Sequence, residues 1–302
     1  MRDRLNINLS AGSSCFVRCH GCYNHFGADA DALTSGIILE FLEAARSKGA
    51  DRVTLCGGDP LSRPDILDLI RGIRGLGYRI SLDTVGTPLL GNAQTIFYGR
   101  HAVGQVDIQM LASLVDEIGI PVDGATEQII QAFRKGRQNF LSEQLSILSL
   151  LNDVNASICV NTVVNQFNIV SLNSILDLLS PFNAVKKWQL FQFIPSGPLG
   201  FKNRLKYEIS QEAFVVAMES LQIYAESKHN TIKIDYKTSA SRRGNYLLID
   251  SDGLAWVPKF SIDNVPSSNR LIIGDIKKQS DFAEIFSVVL APTTLFKSDS
   301  DV

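Results

Sequence analysis

Near its N-terminus the chain reads Cys15-Phe-Val-Arg-Cys19-His-Gly-Cys22, which holds three of its five cysteines in the spacing C-x3-C-x2-C. Thiolates this close in sequence reach one iron centre only if the backbone loops around it, and Gly21 suits such a loop. A fully ligated cubane uses four cysteines. A set of three leaves one iron open, and an open coordination position is typical of a catalytic site. The spacing therefore favours an iron–sulfur cluster.

Two other uses of these cysteines stay open on spacing alone. A zinc ion needs a fourth ligand, for which His20 and His25 are the candidates, although neither has the usual paired finger spacing. Disulfides are less expected, because a chain of 302 residues buries a core large enough to fold without covalent links.

Further motifs extend the pattern into a family resemblance. C-x3-C-x2-C after a short strand resembles the signature of the radical S-adenosylmethionine (radical SAM) superfamily. Cys56-Gly-Gly-Asp-Pro60 follows a short apolar run and is similar to the family's GGEP segment, with Asp in place of Glu. The wording CHGCYN (Cys19 to Asn24) with GGDPL (Gly57 to Leu61) is particularly similar to the anaerobic ribonucleotide reductase activating enzymes. Leu82-Asp-Thr84 with Gly86 resembles the LDTNG segment of glycyl-radical activases.

The resemblance implies two cofactors and a reaction. Cys15, Cys19 and Cys22 would hold a 4Fe–4S cluster, and the methionine part of S-adenosylmethionine (SAM) would chelate the open iron. An electron donor such as flavodoxin or ferredoxin would supply one electron. Reductive cleavage of SAM would then give methionine and a 5′-deoxyadenosyl radical that abstracts hydrogen from a small-molecule or peptide substrate.

The resemblance also assigns SAM contacts. The GGDP segment would meet the amino group of SAM, and the end of the third strand its ribose. An arginine after the fourth strand would meet the carboxylate, and the end of the sixth strand the adenine. Asp123 lies in Pro121-Val-Asp-Gly124, similar to the family's SLDG segment, and Asn161 opens a stretch that resembles viperin and its relatives. The candidate residues are Gly57, Gly58, Asp59, Pro60, Asp83, Thr84, Asp123, Arg134, Arg137, Asn161 and Ile194. Ordinary turn glycines, loop caps and a solvated basic helix end are the alternatives.

Apolar periodicity predicts the fold class. Helical patterns alternate with short apolar runs, and this β–α–β rhythm indicates a parallel sheet. The predicted strands are Leu5–Leu9, Arg52–Leu55, Tyr78–Leu82, Val115–Val122, Ser157–Val164 and Lys187–Ile194. Together with the resemblance they predict an α/β fold: a partial (β/α)6, TIM-like barrel over residues 1–200 that carries the cluster and SAM. Residues 201–295 would form a C-terminal α+β cap, and residues 296–302 a disordered tail.

Composition fits a soluble enzyme. The chain is 45% apolar and 20% charged, with a net charge of −2, so electrostatics gives no reason to expect nucleic-acid binding. No apolar run reaches the ~20 residues of a membrane helix. We interpret Met1 to Asn6 as the entry to a strand rather than a signal peptide. Free cysteines and an oxygen-sensitive cluster predict a reducing cytoplasm.

The remaining cysteines predict a single cluster, since only Cys56 and Cys159 follow Cys22 and an auxiliary cluster takes about four. Buried cysteines usually act as small hydrophobes, and a sharper hypothesis makes Cys159 a hydrogen-atom donor. The favoured function is a radical SAM enzyme of a biosynthetic pathway. The alternatives are an activase acting on a partner protein, a viperin-like nucleotide-modifying enzyme, and a non-catalytic, zinc-binding barrel. A basic cluster at residues 202–206 is interpreted as a solvated face or an anion site.

Overall fold

A computed structural model describes residues 6–25, 33–238, 246–258 and 270–290. Strands and helices alternate along most of the chain. The strands are β1 (Asn6–Gly12), β2 (Arg18–Cys19), β3 (Arg52–Gly57), β4 (Arg79–Asp83), β5 (Ala93–Gln94), β6 (Ala102–Val103), β7 (Glu117–Pro121), β8 (Arg134–Lys135), β9 (Ile158–Val164), β10 (Val185–Gln192), β11 (Lys233–Lys237), β12 (Tyr246–Ile249), β13 (Leu254–Pro258) and β14 (Arg270–Asp275). The helices are α1 (Ser35–Ser47), α2 (Ile66–Gly75), α3 (Thr87–Leu90), α4 (Ile108–Leu114), α5 (Glu127–Phe133), α6 (Phe140–Asp153), α7 (Leu172–Leu179), α8 (Gly197–Lys202), α9 (Arg204–Tyr207), α10 (Gln211–Ser227) and α11 (Phe282–Leu290).

Ten strands of the described residues form one sheet in the order β11-β10-β9-β7-β4-β3-β1-β12-β13-β14. Neighbours from β11 to β12 pair in parallel, whereas β13 and β14 pair antiparallel. The predicted α/β class is confirmed, and the six predicted strands lie side by side. The C-terminal strands continue this sheet, because β11 pairs with β10 and β12 pairs with β1. The division at residue 200 stays a prediction, and the predicted tail lies outside the described residues.

The two faces of the sheet differ in chemistry. Alternate strand residues such as Leu9, Leu55 and Leu82 are fully buried in one apolar core with the helices. The residues between them have side chains on the opposite face, because successive side chains of a strand alternate between the two faces of a sheet. This opposite face, called here the inner face, is polar and only part-buried at Asn8 and Ser81.

Capping side chains mark the starts of some helices. Thr34 caps α1 by accepting a hydrogen bond from the amide of Ile37, and Ser210 caps α10 in the same way, as expected for N-cap hydroxyls. Helix α8, which begins at Gly197, and strand β14 were not predicted from the sequence. None of the described helices is long and apolar enough to cross a membrane.

Candidate active site

The cysteine loop, residues 13–25, lies at the end of β1 where the parallel strands terminate. Cys15 is buried, and Cys19 and Cys22 are part-buried. Burial raises the pKa of all three thiols, to about 12 for Cys22. Repulsion from neighbouring cysteine sulfurs also raises the pKa of Cys15 and Cys22, whereas the Arg134 cation lowers that of Cys19. Thiols desolvated in this way ionise only against a cationic centre such as iron.

The donor set fits a cluster better than a single ion. Within the described parts of the chain, no three His, Cys, Asp or Glu side chains converge closely enough to hold one metal ion. A tetrahedral zinc site requires such convergence. A cubane takes each cysteine on a different iron, so thiols that are near one another without converging suit it.

The GGDP segment holds the cysteine loop from one side. The amide of Gly58 donates to the carbonyl of Gly12 and the amide of Asp59 to that of Ser14, both at 2.8 Å. A Cβ on Gly58 would lie 2.2 Å from the carbonyl oxygen of Ser13 and 2.3 Å from that of Ser14. Gly57 has a φ of 120°, which also favours glycine. Both glycines therefore allow close approach to the cysteine loop itself.

Asp59 is fully buried and bridges this segment to the end of β4. Its Oδ1 accepts from Thr84 Oγ1 at 2.7 Å and from the amide of Leu61 at 2.9 Å, and its Oδ2 accepts from the amide of Val85 at 2.7 Å. Burial raises the pKa of Asp59 to about 6. Asp59 and Thr84 thus bind each other in this structure, and Pro60 is buried at the start of the turn that follows.

Arg134 connects the end of β7 to the middle cysteine. Its Nε donates to Asp123 Oδ2, and its Nη1 lies 3.2 Å from Cys19 Sγ. Asp123 is buried, and its Oδ1 accepts from the amide of Val163 at 2.7 Å. The Asp123 carboxylate and the Cys19 sulfur raise the pKa of Arg134 despite its burial. Arg134 also pairs with Cys19 through the backbone, in the short β2–β8 ladder.

Arg137, the second candidate arginine, is engaged elsewhere. It forms a two-point ion pair with Glu143, at 2.5 Å from Nε to Oε2 and 2.7 Å from Nη2 to Oε1. Of the two arginines that the sequence could not distinguish, Arg134 is the one that contacts a cysteine of the motif.

Two further elements enclose the cysteine loop. The β5–β6 hairpin bridges to Cys15 through Phe97. On the other side, the amide of Gly200 in α8 donates to the carbonyl of Cys22 at 3.2 Å. A Cβ on Gly21 would lie 2.4 Å from the Phe133 ring and 2.6 Å from the Phe193 ring, so aromatic side chains from neighbouring elements fill the space beside Gly21.

Asp83 and Asn161 meet on the inner face although their strands are not neighbours. Asn161 Nδ2 donates to Asp83 Oδ1 at 2.9 Å. β7 lies between them, and Asp83 pairs in register with Gly119. A Cβ on Gly119 would lie 1.9 Å from Asp83 Oδ1 and 2.7 Å from Asn161 Nδ2. The glycine is therefore what lets the two side chains reach across a strand, and burial raises the pKa of Asp83 to about 6.

A second cross-strand contact lies one step further along the inner face. Lys187 Nζ lies 2.9 Å from Glu117 Oε2. This ion pair crosses β9 at Cys159, the residue that pairs in register with Lys187. Cys159 is 1% exposed, with its sulfur 3.6 Å from Asn161 Oδ1 and 3.8 Å from Gln189 Oε1. Burial raises the pKa of this thiol strongly. Cys159 thus lies within the polar network rather than in an apolar core.

Ile194 follows β10 and is part-buried in a surface groove with Pro195 and Glu208. Sequence reasoning missed Gly119, Glu117 and the sulfur contact of Arg134. Only Gly119 carried a local signal, since a glycine inside a strand indicates close approach of another group.

The family is shown by a match to the model described as "Radical SAM superfamily", over residues 9–179. The chain belongs to the radical SAM superfamily. The matched region spans β1, the cysteine loop, the GGDP segment and the strands to β9. Radical SAM enzymes use a 4Fe–4S cluster and SAM, and these are the cofactors of this enzyme.

Curated relatives match part of the chain. The chain is 25% identical over 191 residues to the AdoMet-dependent heme synthase of Methanosarcina barkeri, covering 63% of this chain and 50% of the relative. It is 32% identical over 92 residues to a probable GTP 3′,8-cyclase of Methanothermobacter thermautotrophicus, covering 30% of each. The chain thus spans about half the length of the first of these relatives.

Solved structures show the same fold at low identity. Streptococcus suis SuiB bound to S-adenosylmethionine aligns with a TM-score of 0.69 at 13% identity, over 92% of this chain and 64% of SuiB. The native enzyme anSMEcpe with bound AdoMet and the Cp18Cys peptide aligns with a TM-score of 0.68 at 15% identity, over 99% of this chain and 85% of that chain. These likenesses bear on the fold alone.

Proposed function

We propose that Cys15, Cys19 and Cys22 ligate the 4Fe–4S cluster and that the enzyme abstracts hydrogen from a small-molecule or peptide substrate bound on the inner face. The observation that carries this proposal is the position of the cysteine loop, held over the ends of the parallel strands by the GGDP segment, β8, the β5–β6 hairpin and α8. When bound, the two cofactors supply reductive cleavage of SAM to methionine and a 5′-deoxyadenosyl radical. The protein supplies ligation, orientation and exclusion of water.

The SAM contacts are proposed for the strand ends around the cysteine loop. Arg134 is our choice for the SAM carboxylate, because its Nη2 makes no hydrogen bond within the described residues while Arg137 is paired with Glu143. Asp83 and Asn161 would contact the ribose, since Asp83 Oδ2 accepts no hydrogen bond from the described residues. Gly57, Gly58 and Pro60 would contact SAM through backbone atoms. Asp123 positions Arg134, and Ile194 would pack beside the adenine. Asp59 and Thr84 act indirectly, by holding the GGDP segment.

The inner face supports a polar substrate. Ordinary (β/α)8 barrels fill their interior with branched aliphatic side chains. Here Glu117, Lys187 and Asp235 have side chains 23–30% exposed, so water reaches them. Buried charge without such access is costly.

The described lysines of the inner face are already paired with carboxylates. Lys187 pairs with Glu117, and Lys237 lies 3.4 Å from Asp235, so neither of these two cations is left over for a polyphosphate. This pairing argues against the viperin-like alternative and supports a neutral or zwitterionic substrate, whether a small molecule or a peptide segment. Cys159 borders this network, and its role as a hydrogen-atom donor is part of the proposal.

The test is anaerobic reconstitution with iron and sulfide, followed by SAM and dithionite and measurement of 5′-deoxyadenosine. Cys15→Ala, Cys19→Ala and Cys22→Ala should each abolish the product. Cys56→Ala is the matched control and should retain iron, because Cys56 lies outside the motif. Zinc in anaerobically purified protein, or a loaded cluster that never cleaves SAM with any tested substrate, would contradict the proposal.

The substrate itself can be found by isotope transfer. Candidate amino acids, peptides and nucleotides carrying deuterium are added to the reconstituted enzyme, and 5′-deoxyadenosine is analysed by mass spectrometry. Deuterium from a neutral or zwitterionic compound is expected. Deuterium from a nucleoside triphosphate would restore the viperin-like function, and a stable complex with a large glycyl-radical enzyme would favour the activase.

A further inference from the structure

Three described segments at the cysteine loop carry charged side chains of one sign. Residues 6–25, 128–138 and 193–207 contain no aspartate or glutamate. They contribute five side chains that we call the basic collar: Arg18, Lys135, Lys202, Arg204 and Lys206. The whole chain has a net charge of −2, so this concentration of positive charge is local.

Hydrogen bonds bring the three segments of the basic collar together at the cysteine loop. Arg18 pairs in register with Lys135 in the β2–β8 ladder, directly beside Cys19. Asn203, between Lys202 and Arg204, donates its Nδ2 to the carbonyl of His20 at 2.8 Å. The collar therefore surrounds the part of the loop that carries the second cysteine of the motif.

Among the described residues, no acidic neighbour neutralises the positive charge of the collar. None of its five members forms an ion pair within the described parts of the chain, where Asp123 and Glu143 are taken by Arg134 and Arg137. Glu208 is the acidic side chain that follows the collar in sequence. The contacts of the collar residues include aromatic rings, such as Arg204 over Phe201 at 4.2 Å, which leave the charge in place. Leu205, between Arg204 and Lys206, is 82% exposed.

We propose that the basic collar is the docking surface for an acidic one-electron carrier protein that reduces the cluster. The proposal rests on the cluster assigned to Cys15, Cys19 and Cys22. An acidic partner is steered to an uncompensated basic surface, which raises its association rate at low ionic strength. An exposed apolar side chain among charged ones suits a contact that forms and dissociates quickly. A carrier seated here would lie against the cysteine loop, so the path of the electron is short.

The experiment compares two reductants on the same reconstituted enzyme. 5′-Deoxyadenosine formation is driven either by dithionite or by a flavodoxin with its NADPH-dependent reductase. The variant is K202E/K206E, which reverses two collar charges. The matched control is K186E/K233E, which reverses two exposed lysines at the opposite end of the sheet, near the starts of β10 and β11.

At low salt, K202E/K206E is expected to lose about tenfold or more of the flavodoxin-driven rate, while the dithionite-driven rate stays within about twofold of the wild type. Raising the salt concentration should slow the flavodoxin-driven wild type towards the variant, since screening removes steering. The control should match the wild type with both reductants.

Three results would overturn the inference. The first is equal flavodoxin-driven rates for wild type and K202E/K206E at low salt. The second is an equal loss with dithionite, which would assign the collar to substrate binding or folding. The third is a wild type that dithionite activates but that neither flavodoxin nor ferredoxin reduces. A wild type inactive with dithionite would instead refute the proposed function.

Discussion

The close approach of Gly58 to the cysteine loop predicts the effect of Gly58→Ala. The added methyl would lie 2.2 and 2.3 Å from the carbonyl oxygens of Ser13 and Ser14, far inside normal contact distance. Both oxygens belong to backbone and cannot rotate away as a side chain would. The GGDP segment must therefore separate from the cysteine loop.

The cost follows from what the separation breaks. Two backbone hydrogen bonds of 2.8 Å join the segments, from Gly58 to Gly12 and from Asp59 to Ser14. Each contributes about 1 kcal/mol, and buried groups left without partners cost more. Overpacking adds about 1–3 kcal/mol. We expect Gly58→Ala to lower the free energy of unfolding by about 3–5 kcal/mol and to reduce the iron held per chain after reconstitution.

Urea unfolding of the apoprotein measures the first effect, and iron and sulfide analysis measures the second. Gly75→Ala is the matched control, because it lies at the end of α2 and a Cβ there meets nothing within 4 Å. It should stabilise the protein by about 0.5–1 kcal/mol. If Gly58→Ala unfolds at the wild-type urea midpoint and binds iron normally, the close approach of the GGDP segment to the cysteine loop is refuted.

Three further predictions concern single side chains. Gly119→Ala should separate Asp83 from its amide partner and cost about 1–3 kcal/mol, measured by urea unfolding; an unchanged midpoint would contradict the cross-strand contact. Burial raises the pKa of Asp59 to about 6, so the folded state binds a proton more tightly than the unfolded chain does. Ionisation of Asp59 therefore lowers the free energy of unfolding by about 3 kcal/mol as pH rises from about 4 to about 6. Asp59→Asn should lose that decline in urea unfolding across the same range, and a variant with the wild-type slope would refute it. Asp123→Asn should shift the cluster reduction potential positive and Arg134→Gln should shift it negative in redox titrations, because charge and hydrogen bonds near the sulfurs set the potential; shifts of the same sign would show a merely structural pair.

Motif spacing and apolar periodicity were enough to predict the superfamily and the parallel strands. The cysteine spacing and the GGDP segment pointed to the superfamily, and β–α alternation predicted the parallel strands, because both depend on residues that are near in sequence. The predicted strand Ser157–Val164 matches β9 (Ile158–Val164) to within one residue. The missed β14 contains an apolar run of only three residues, Leu271 to Ile273, which is too short to show a period.

The sequence by itself determined the superfamily, the parallel sheet and the cysteine motif of this protein, because local patterns encode them. Only the tertiary structure decided which arginine contacts the motif. It also decided that Asp59 accepts a hydrogen bond from Thr84 and that Gly119 lets Asp83 reach Asn161. These contacts join residues 25–115 positions apart. Which side chains meet across such separations depends on strand order and register, and no local pattern in the sequence specifies either.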